Sequence, residues 1–502
     1  MFLRNNPRKS FYVYGLVLLL ISANHQLPAS KFVSHDGLWS HPQTIPLYNL
    51  ETWPPVLIAD QNRTVHALSS QWITPEGSLP LLVLFYNQWT LERGWTIPVD
   101  IIILPGREAR LTDAHLDKNG ILHVVFWGGD STGADIYYSN APVTMAGMAS
   151  AWSPPTVIGR NASDPENAVF TEDSQGNLYV VYASQAIGNG LYVVKSENSG
   201  ESWSAASQIY SARSAAPIIS QVQTLEGESG ILHLIWGVYN LLSQGRGIYY
   251  SQSMDGTVWS EPLLLADVQD GLGTQTPRLT EYNNTLIALY NVSLKIIMRS
   301  SSDEGKSWDD PSVIFPRHVG VNGSLSLVTD SNNDLHLFFG QRIPGSPDIH
   351  GMWHSTFGNN RWTEPEGLVK GPKVTDLVGY NGFDPNGARA VVSQGNVILV
   401  TWRTDPGSVG NGVWFSYKKF DAPELPVTPW PDLESNIPEA TSTENPDQIL
   451  PTSTSEVIRE NQLGDEGPPT VLTPGSVLAI TLVTVILFLV MFFVSVIWKR
   501  PS

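Results

Sequence analysis

Residues 121–129 read ILHVVFWGG, a short and almost wholly apolar segment, and the chain holds six further segments of this kind. A turn rich in Asp, Asn and Gly stands before most copies, as in DKNG at 117–120, and such turns join the two strands of a hairpin. Because the segment and its turn recur along the chain, the repeat determines the architecture of the whole region. The seven copies begin at Thr64, Ile121, Leu178, Ile231, Leu286, Leu335 and Val397.

Each copy is followed by a second β segment, such as IYYSN at 136–140, then by a Trp and a further apolar run. One unit therefore predicts about four strands. The strands are apolar on both faces, which is typical of a sheet covered on both sides. No helical period lies between the units, so other sheets must supply the cover, and four-stranded sheets arranged around an axis form a β-propeller. The repeated Trp residues are Trp95, Trp152, Trp203, Trp259, Trp308 and Trp362.

The ends of the repeat region predict how the ring closes. The last unit lacks its Trp strand, because a different composition begins after Phe420. The segment SHDGLWSHPQTIPL at 34–47 carries Trp39, Ser40 and Pro42 in the missing pattern. We expect this N-terminal strand to complete the last blade, since an open row of blades would leave edges exposed. The fold class is therefore all-β, a propeller of seven blades; six blades with one unit misassigned is the alternative.

The N-terminus has the pattern of a signal peptide over residues 1–30. Arg4, Arg8 and Lys9 precede an apolar run at 11–21, and small residues follow it. An apolar run of this length is too short for a membrane span but suits a cleaved export signal.

The C-terminus predicts a single transmembrane helix over residues 476–498. The 22 residues from Val477 to Trp498 carry no charge, which is enough to cross about 30 Å of hydrocarbon. Lys499 and Arg500 follow at once, and positive residues stay in the cytoplasm. We therefore expect a plasma-membrane protein with its ectodomain, residues 31–420, outside and a short cytoplasmic tail at 499–502.

Residues 421–475 have the composition of a stalk. They hold ten Pro, eleven acidic residues and one Arg, so more than half of the chain's net charge of −18 lies here. Such a segment cannot bury enough apolar surface to fold by itself. The acidic balance argues against nucleic-acid binding. The chain has no Cys, which excludes disulfides and thiolate chemistry.

A second recurring motif lies in the turn before several of the Trp residues. Residues 301–308 read SSDEGKSW, residues 196–203 read SENSGESW, and residues 253–259 read SMDGTVW. An Asp or Asn in such a turn accepts backbone hydrogen bonds, and Gly supplies a positive φ. We assign a structural role to Ser301, Asp303, Gly305, Trp308, Asn198, Gly200, Trp203, Asp255 and Trp259.

Residues 301–308 match the Asp-box pattern Ser-x-Asp-x-Gly-x-x-Trp throughout, residues 196–203 match it with Asn for Asp, and residues 253–259 are one residue short. Residues 32–420 therefore resemble the sialidase, or Asp-box, superfamily. The resemblance implies a site at the mouth of the central channel, where the innermost strands begin. It implies several Arg for a sugar carboxylate, a Tyr nucleophile activated by a Glu, and an Asp for proton transfer. Where the family has Arg-Ile-Pro, this chain has Thr52-Trp53-Pro54-Pro55.

The positions that match these roles form the predicted site. Tyr380 is the candidate nucleophile, Glu281 its partner and Asp113 the proton-transfer group. The predicted sugar-binding residues are Arg110, Arg278, Arg317 and Arg389. No cluster has metal-ligand spacing, and calcium, although not excluded, is not indicated. We expect the partner to be an extracellular glycan or glycoprotein. The function is either sialidase-like hydrolysis, or glycan binding as a non-catalytic adhesin, or a protein-binding scaffold.

Overall fold

The chain forms seven antiparallel sheets, which are the blades of a propeller. The computed structural model describes residues 38–48, 52–74, 79–105, 107–130, 133–162, 167–185, 188–268, 273–343, 349–370, 385–404 and 412–430. The predicted signal peptide, transmembrane helix and cytoplasmic tail lie outside these ranges, as does the stalk beyond residue 430. Among the described residues, no helix has the length and apolar character needed to cross a membrane.

The first three blades follow the chain in order from the innermost strand to the outermost. Blade 1 has a short fifth strand, which pairs with the third strand of the blade, as its fourth strand also does. Two short 3-10 helices, Val143–Met145 and Ala149–Ala151, interrupt blade 2. The strands are β2 (Val56–Ala59), β3 (Val65–Ile73), β4 (Leu81–Thr90), β5 (Gly94–Trp95) and β6 (Val99–Ile102); β7 (Glu108–Leu116), β8 (Ile121–Asp130), β9 (Gly133–Pro142) and β10 (Thr156–Gly159); β11 (Ala168–Glu172), β12 (Leu178–Ser184), β13 (Gly190–Ser196) and β14 (Ser207–Ser211).

Blades 4 to 6 repeat this plan, and blade 6 also has a fifth strand. Blade 7 takes its outermost strand from the N-terminus. The strands are β15 (Ile218–Glu226), β16 (Leu232–Tyr239), β17 (Gly245–Ser253) and β18 (Leu263–Asp267); β19 (Thr274–Tyr282), β20 (Thr285–Val292), β21 (Lys295–Ser301) and β22 (Ser312–Val313); β23 (Val321–Thr329), β24 (Leu335–Ile343), β25 (Ile349–Gly358), β26 (Arg361–Trp362) and β27 (Glu366–Lys370); β28 (Pro385–Ser393), β29 (Val397–Thr404), β30 (Gly412–Lys419) and β1 (Gln43–Thr44).

Ring closure occurs as the sequence predicts. Gln43 pairs with Phe415 and Thr44 with Trp414, so β1 is the fourth strand of blade 7. The innermost strands contact one another in turn from β2 through β28 and back to β2. Seven blades are therefore confirmed and the six-bladed alternative is wrong.

The apolar core is divided among the seven interfaces between neighbouring blades. Each interface holds its own cluster of buried side chains, for example Phe338 and Met352 of blade 6 against Val400 and Trp402 of blade 7. This arrangement explains why the repeated segments are apolar on both faces: each sheet contacts a neighbour on either side.

Residues 421–430, the first part of the predicted stalk, lie against the propeller. The Leu425 amide donates to the Gln394 carbonyl at 2.8 Å, and the Thr428 amide donates to the Gln61 carbonyl at 3.0 Å. The Trp430 indole Nε1 donates to Asp60 Oδ2 at 3.0 Å. We call residues 421–430 the strap. It contacts blades 7 and 1, on either side of the seam where the ring closes.

Candidate functional site

The two ends of the blades differ in chemistry, and we name them by the parts of the strands that form them. The mouth is the end where the innermost strands begin. The turn side is the end where those strands finish and the Asp-box turns lie. The resemblance places the predicted site at the mouth, so that end is described first.

The innermost strands enter the mouth through β-bulges, and three of these bulges contain a residue with positive φ. Gln221 of β15 has φ 58°, Thr276 of β19 has φ 52° and Gly387 of β28 has φ 66°. The three residues occupy the same place in the bulge, directly after the last residue that pairs before the register shifts. Only glycine adopts this conformation without strain, and a β-branched residue such as Thr rarely does. The backbone of the mouth is therefore held under strain in blades 4 and 5.

A chain of hydrogen bonds between blades holds this strained backbone. The Gln221 amide donates to Asn167 Oδ1 at 3.0 Å. Gln221 Oε1 in turn accepts from the Tyr239 hydroxyl at 2.6 Å and from the Thr276 amide. The Asn291 side chain donates to the Gly323 carbonyl at 3.1 Å. These bonds connect blades 3 to 6 at the mouth.

Two predicted residues, Asp113 and Arg278, lie further along the channel wall, on the innermost strands. Asp113 Oδ2 accepts from the Phe170 amide of blade 3 at 2.9 Å. Arg278 Nε donates to the Leu325 carbonyl of blade 6 at 2.7 Å. Gln223, at the matching place in blade 4, accepts from the Leu279 amide at 2.8 Å. Asp113 and Arg278 therefore each form a hydrogen bond from one blade to the next. The uncharged Gln223 makes the same kind of bond between blades 4 and 5.

Arg389 differs from its neighbours because its side chain is exposed in the channel. Its guanidinium makes no hydrogen bond or ion pair with another described residue. Burial, and then the positive charge of Arg389, lower the pKa of Arg278 to about 10, so Arg278 stays cationic at neutral pH. Burial also raises the pKa of Asp113, although the charge of Arg389 acts in the opposite direction. The structure thus brings Arg278, Arg389 and Asp113 together.

The other predicted site residues do not belong to the group of Arg278, Arg389 and Asp113. Arg110 donates to Glu108 Oε2 at 2.8 Å, and its guanidinium carbon lies 5.7 Å from the centroid of the Trp127 ring. Arg317 is exposed in the connection before β23. Glu281 is near the end of β19, where its carboxylate accepts from the Glu228 amide at 2.7 Å.

Glu281 is seven residues from Thr274, where β19 begins, so it lies roughly 20 Å from the mouth. Tyr380 and the other residues of 371–384 are outside the described residues. The pairing of Glu281 with Tyr380 therefore stays a prediction, with Glu281 on the turn side.

Sequence reasoning missed an aromatic residue at the mouth. Trp53 is 53% exposed, although most Trp residues of the blades are largely buried. The guanidinium carbon of Arg403, from the end of β29, lies 4.6 Å from the centroid of the Trp53 ring. No local signal could have shown this pair, because the two residues are far apart in the chain.

On the turn side, each Asp-box turn contacts a Tyr of the preceding blade. The Ser307 amide donates to Asp303 Oδ1 at 2.8 Å, and the Gly305 amide donates to Ser301 Oγ at 2.8 Å. Bonds from Ser307 and Ser301 lower the pKa of Asp303 to about 2.

A Cβ on Gly305, at φ 84°, would overlap the Tyr250 hydroxyl, and the Trp308 ring meets the Tyr250 ring edge-on at 5.1 Å. Gly200 and Gly256 lie in the same way against Tyr138 and Tyr179. Asn198 and Asp255 accept backbone amides as Asp303 does, while Trp203 contacts Tyr138 and Trp259 packs against the core of blades 3 and 4.

The turn side also repeats a buried Asp–His unit that sequence reasoning missed. His66 Nε2 lies 3.2 Å from Asp60 Oδ2, and His66 Nδ1 lies 2.7 Å from the Tyr86 hydroxyl. The signal was present in the sequence, since an Asp precedes the His by six positions in three copies. The three pairs are Asp60 with His66, Asp117 with His123, and Asp330 with His336.

A cavity of about 440 Å³ opens on the turn side between blades 2, 3 and 4. His115 Nε2 lies 2.6 Å from Glu172 Oε2 in its wall. Burial raises the pKa of Glu226, another carboxyl that lines the cavity together with Asp173. Among the described residues, no group of three or more His, Asp or Glu has the arrangement of a metal site.

Comparisons with known proteins give similarity of fold. No family model matches the chain, and no curated protein matches it. A solved protein of unknown function from Dyadobacter fermentans is 15% identical, with 76% of this chain and 98% of that chain covered and a TM-score of 0.45. An ulvan lyase is 11% identical over 76% and 97% of the two chains, with a TM-score of 0.49. The α-L-arabinofuranosidase of Fusarium graminearum is 12% identical over 61% and 92%, with a TM-score of 0.41. Likenesses this distant do not identify a ligand or a reaction.

Proposed function

We propose that the propeller binds an extracellular glycan that carries an anionic sugar, and that the mouth is the binding site. The exposure of the Arg389 side chain is the observation on which this proposal rests. Its exposed guanidinium has no described partner and lies within the electrostatic reach of a second cation, Arg278. An anion would relieve the repulsion between the two, and a guanidinium is shaped to bind a carboxylate or sulfate through two hydrogen bonds.

Sialidase-like hydrolysis is the finer form of this proposal, and a non-catalytic adhesin or scaffold is its alternative. Hydrolysis needs a nucleophile and a proton-transfer group at the mouth. Asp113 is engaged with the Phe170 amide, and Glu281 lies on the turn side. The described residues therefore favour binding, while catalysis depends on Tyr380.

We also propose that the propeller stands outside the cell, held at the plasma membrane by residues 476–498. The apolar runs at 11–21 and 477–498 support this location, because their lengths and flanking charges suit export and anchoring respectively.

The test uses the full chain purified in detergent. Calorimetry measures binding of 3′-sialyllactose, whose sialic acid is anionic, and of neutral lactose. We expect the wild type to prefer the sialylated probe, with an affinity that falls as salt is added. Arg389→Ala should weaken that binding roughly 10- to 100-fold, the worth of a charged hydrogen-bonded contact.

Arg361→Ala is the matched control, because Arg361 is an exposed arginine on the turn side. Equal binding of the two probes by the wild type, or full affinity in Arg389→Ala, would contradict the proposal. Release of fluorophore from a sialoside, lost in Tyr380→Phe, would establish hydrolysis; binding without release would establish the adhesin.

A further inference from the structure

We infer that Trp53 is the platform on which a sugar ring stacks while the anionic group of the same glycan contacts Arg389. This inference rests on the proposed function and assigns a residue to it. Trp53 lies in the segment Thr52-Trp53-Pro54-Pro55, which stands where the resembled family has Arg-Ile-Pro and which leads into β2 at the mouth.

The exposure of Trp53 is unusual for its type. It is 53% exposed, whereas Trp236 and Trp402 of the blades are 0% exposed and Trp353 is 5% exposed. Apolar surface left in water is unfavourable. A large ring that stays half open at a channel mouth is therefore placed for contact with something outside the chain.

The ring is held in position rather than free to move. Arg403 lies over the ring, with its guanidinium carbon 4.6 Å from the centroid, and Arg403 itself is only 7% exposed. A Cβ on Gly387 would lie 3.3 Å from Pro54 and 3.7 Å from the Trp53 ring, so glycine lets this segment approach β28 closely. A fixed aromatic ring loses little entropy when a ligand binds.

The position also suits a charged sugar. Gly387, which the Trp53 segment approaches, and Arg389 are two residues apart at the bulge of β28. The face of an aromatic ring is electron-rich and attracts the weakly positive C–H groups of a sugar. A ring on Trp53 can thus direct a carboxylate or sulfate towards Arg389.

The experiment compares Trp53→Leu and Trp53→Tyr in the full chain, with 3′-sialyllactose and lactose as probes. We expect Trp53→Leu to weaken binding of both probes by a similar factor, roughly tenfold, because stacking does not depend on the charge. Trp53→Tyr should stay within about threefold of the wild type. Saturation-transfer NMR should show transfer to the ring protons of the sugar in the wild type and in Trp53→Tyr.

Met254→Ala is the control, since Met254 is 86% exposed and lies on the turn side. If the wild type binds and Trp53→Leu binds equally well, the platform is wrong and the proposed function stands. If the wild type binds neither probe, both the stacking inference and the proposed function are wrong. Should Trp53→Leu not fold, Trp53→Tyr decides alone: loss of saturation transfer to the ring protons despite retained binding would overturn the stacking.

Discussion

The two ends of the blades use polar residues in opposite ways. On the turn side, Asp60, Asp117 and Asp330 each hold a turn and a buried His, and each group finds its partners nearby. At the mouth, Thr276 is strained and Arg389 has no described partner. Polar contacts that repeat from blade to blade stabilise the fold. Polar residues that depart from the repeat are therefore the candidates for ligand binding.

The largest expected effect tests the Asp-box contact on the turn side. Gly305→Ala should lower the free energy of unfolding by about 3 kcal/mol, because the new Cβ meets the Tyr250 hydroxyl in addition to the strain at positive φ. Urea denaturation measures the change. Gly230→Ala is matched, since Gly230 has φ 79° with nothing within 4 Å, and should cost about 1 kcal/mol. Equal losses in the two variants would show that the Tyr250 contact contributes nothing.

The next effect concerns pH and the buried histidines. Burial lowers the pKa of His233 to about 4, whereas the unfolded chain binds this proton near pH 6.5. Between these values the unfolded state holds more protons, so the free energy of unfolding falls as pH drops from 6.5 to 4. We expect His233 to account for about 2 kcal/mol of that loss.

Denaturation at pH 7 and at pH 4.5 checks this expectation. His233→Gln should flatten the dependence on pH, and His41→Gln, which changes an exposed His, should not. The same slope in His233→Gln as in the wild type would remove His233 from the explanation.

The smallest effect separates structure from function within the channel. Asp113→Asn keeps an oxygen that can accept the Phe170 amide and removes a carboxylate whose pKa burial raises. Because a raised pKa means that ionisation disfavours the folded state, the variant should be slightly more stable than the wild type at pH 7. Thermal unfolding measures the gain. Loss of 3′-sialyllactose binding at unchanged stability would instead place Asp113 in the ligand site.

The fold was largely predictable because it repeats. The apolar copies, the Trp spacing and the pattern around Trp39 were enough to predict the blades and their closure, since each local choice is consistent with the ring. The turns at 196–203, 253–259 and 301–308 also repeat, which made their positions recognisable in the sequence. The Asp–His pairs were present at a fixed spacing and were missed.

The mouth was only partly predictable, because its groups meet through the ring and not along the chain. Trp53 and Arg403 come from opposite ends of the propeller sequence. Glu281 lies near the end of β19, on the turn side, and a strand pattern does not show how far along a strand a residue lies. The strap has the composition of a linker, which hid the contacts of Leu425 and Trp430.

The strap has a mechanical consequence. Tension on the chain beyond Trp430 acts first on the hydrogen bond from Trp430 to Asp60 and then on the bonds of Thr428 and Leu425. It reaches β30 only after these bonds have broken. These links lie on both sides of the closing seam, so tension is shared between blades 1 and 7. Blade 7 is therefore not the first part of the fold to carry such a load.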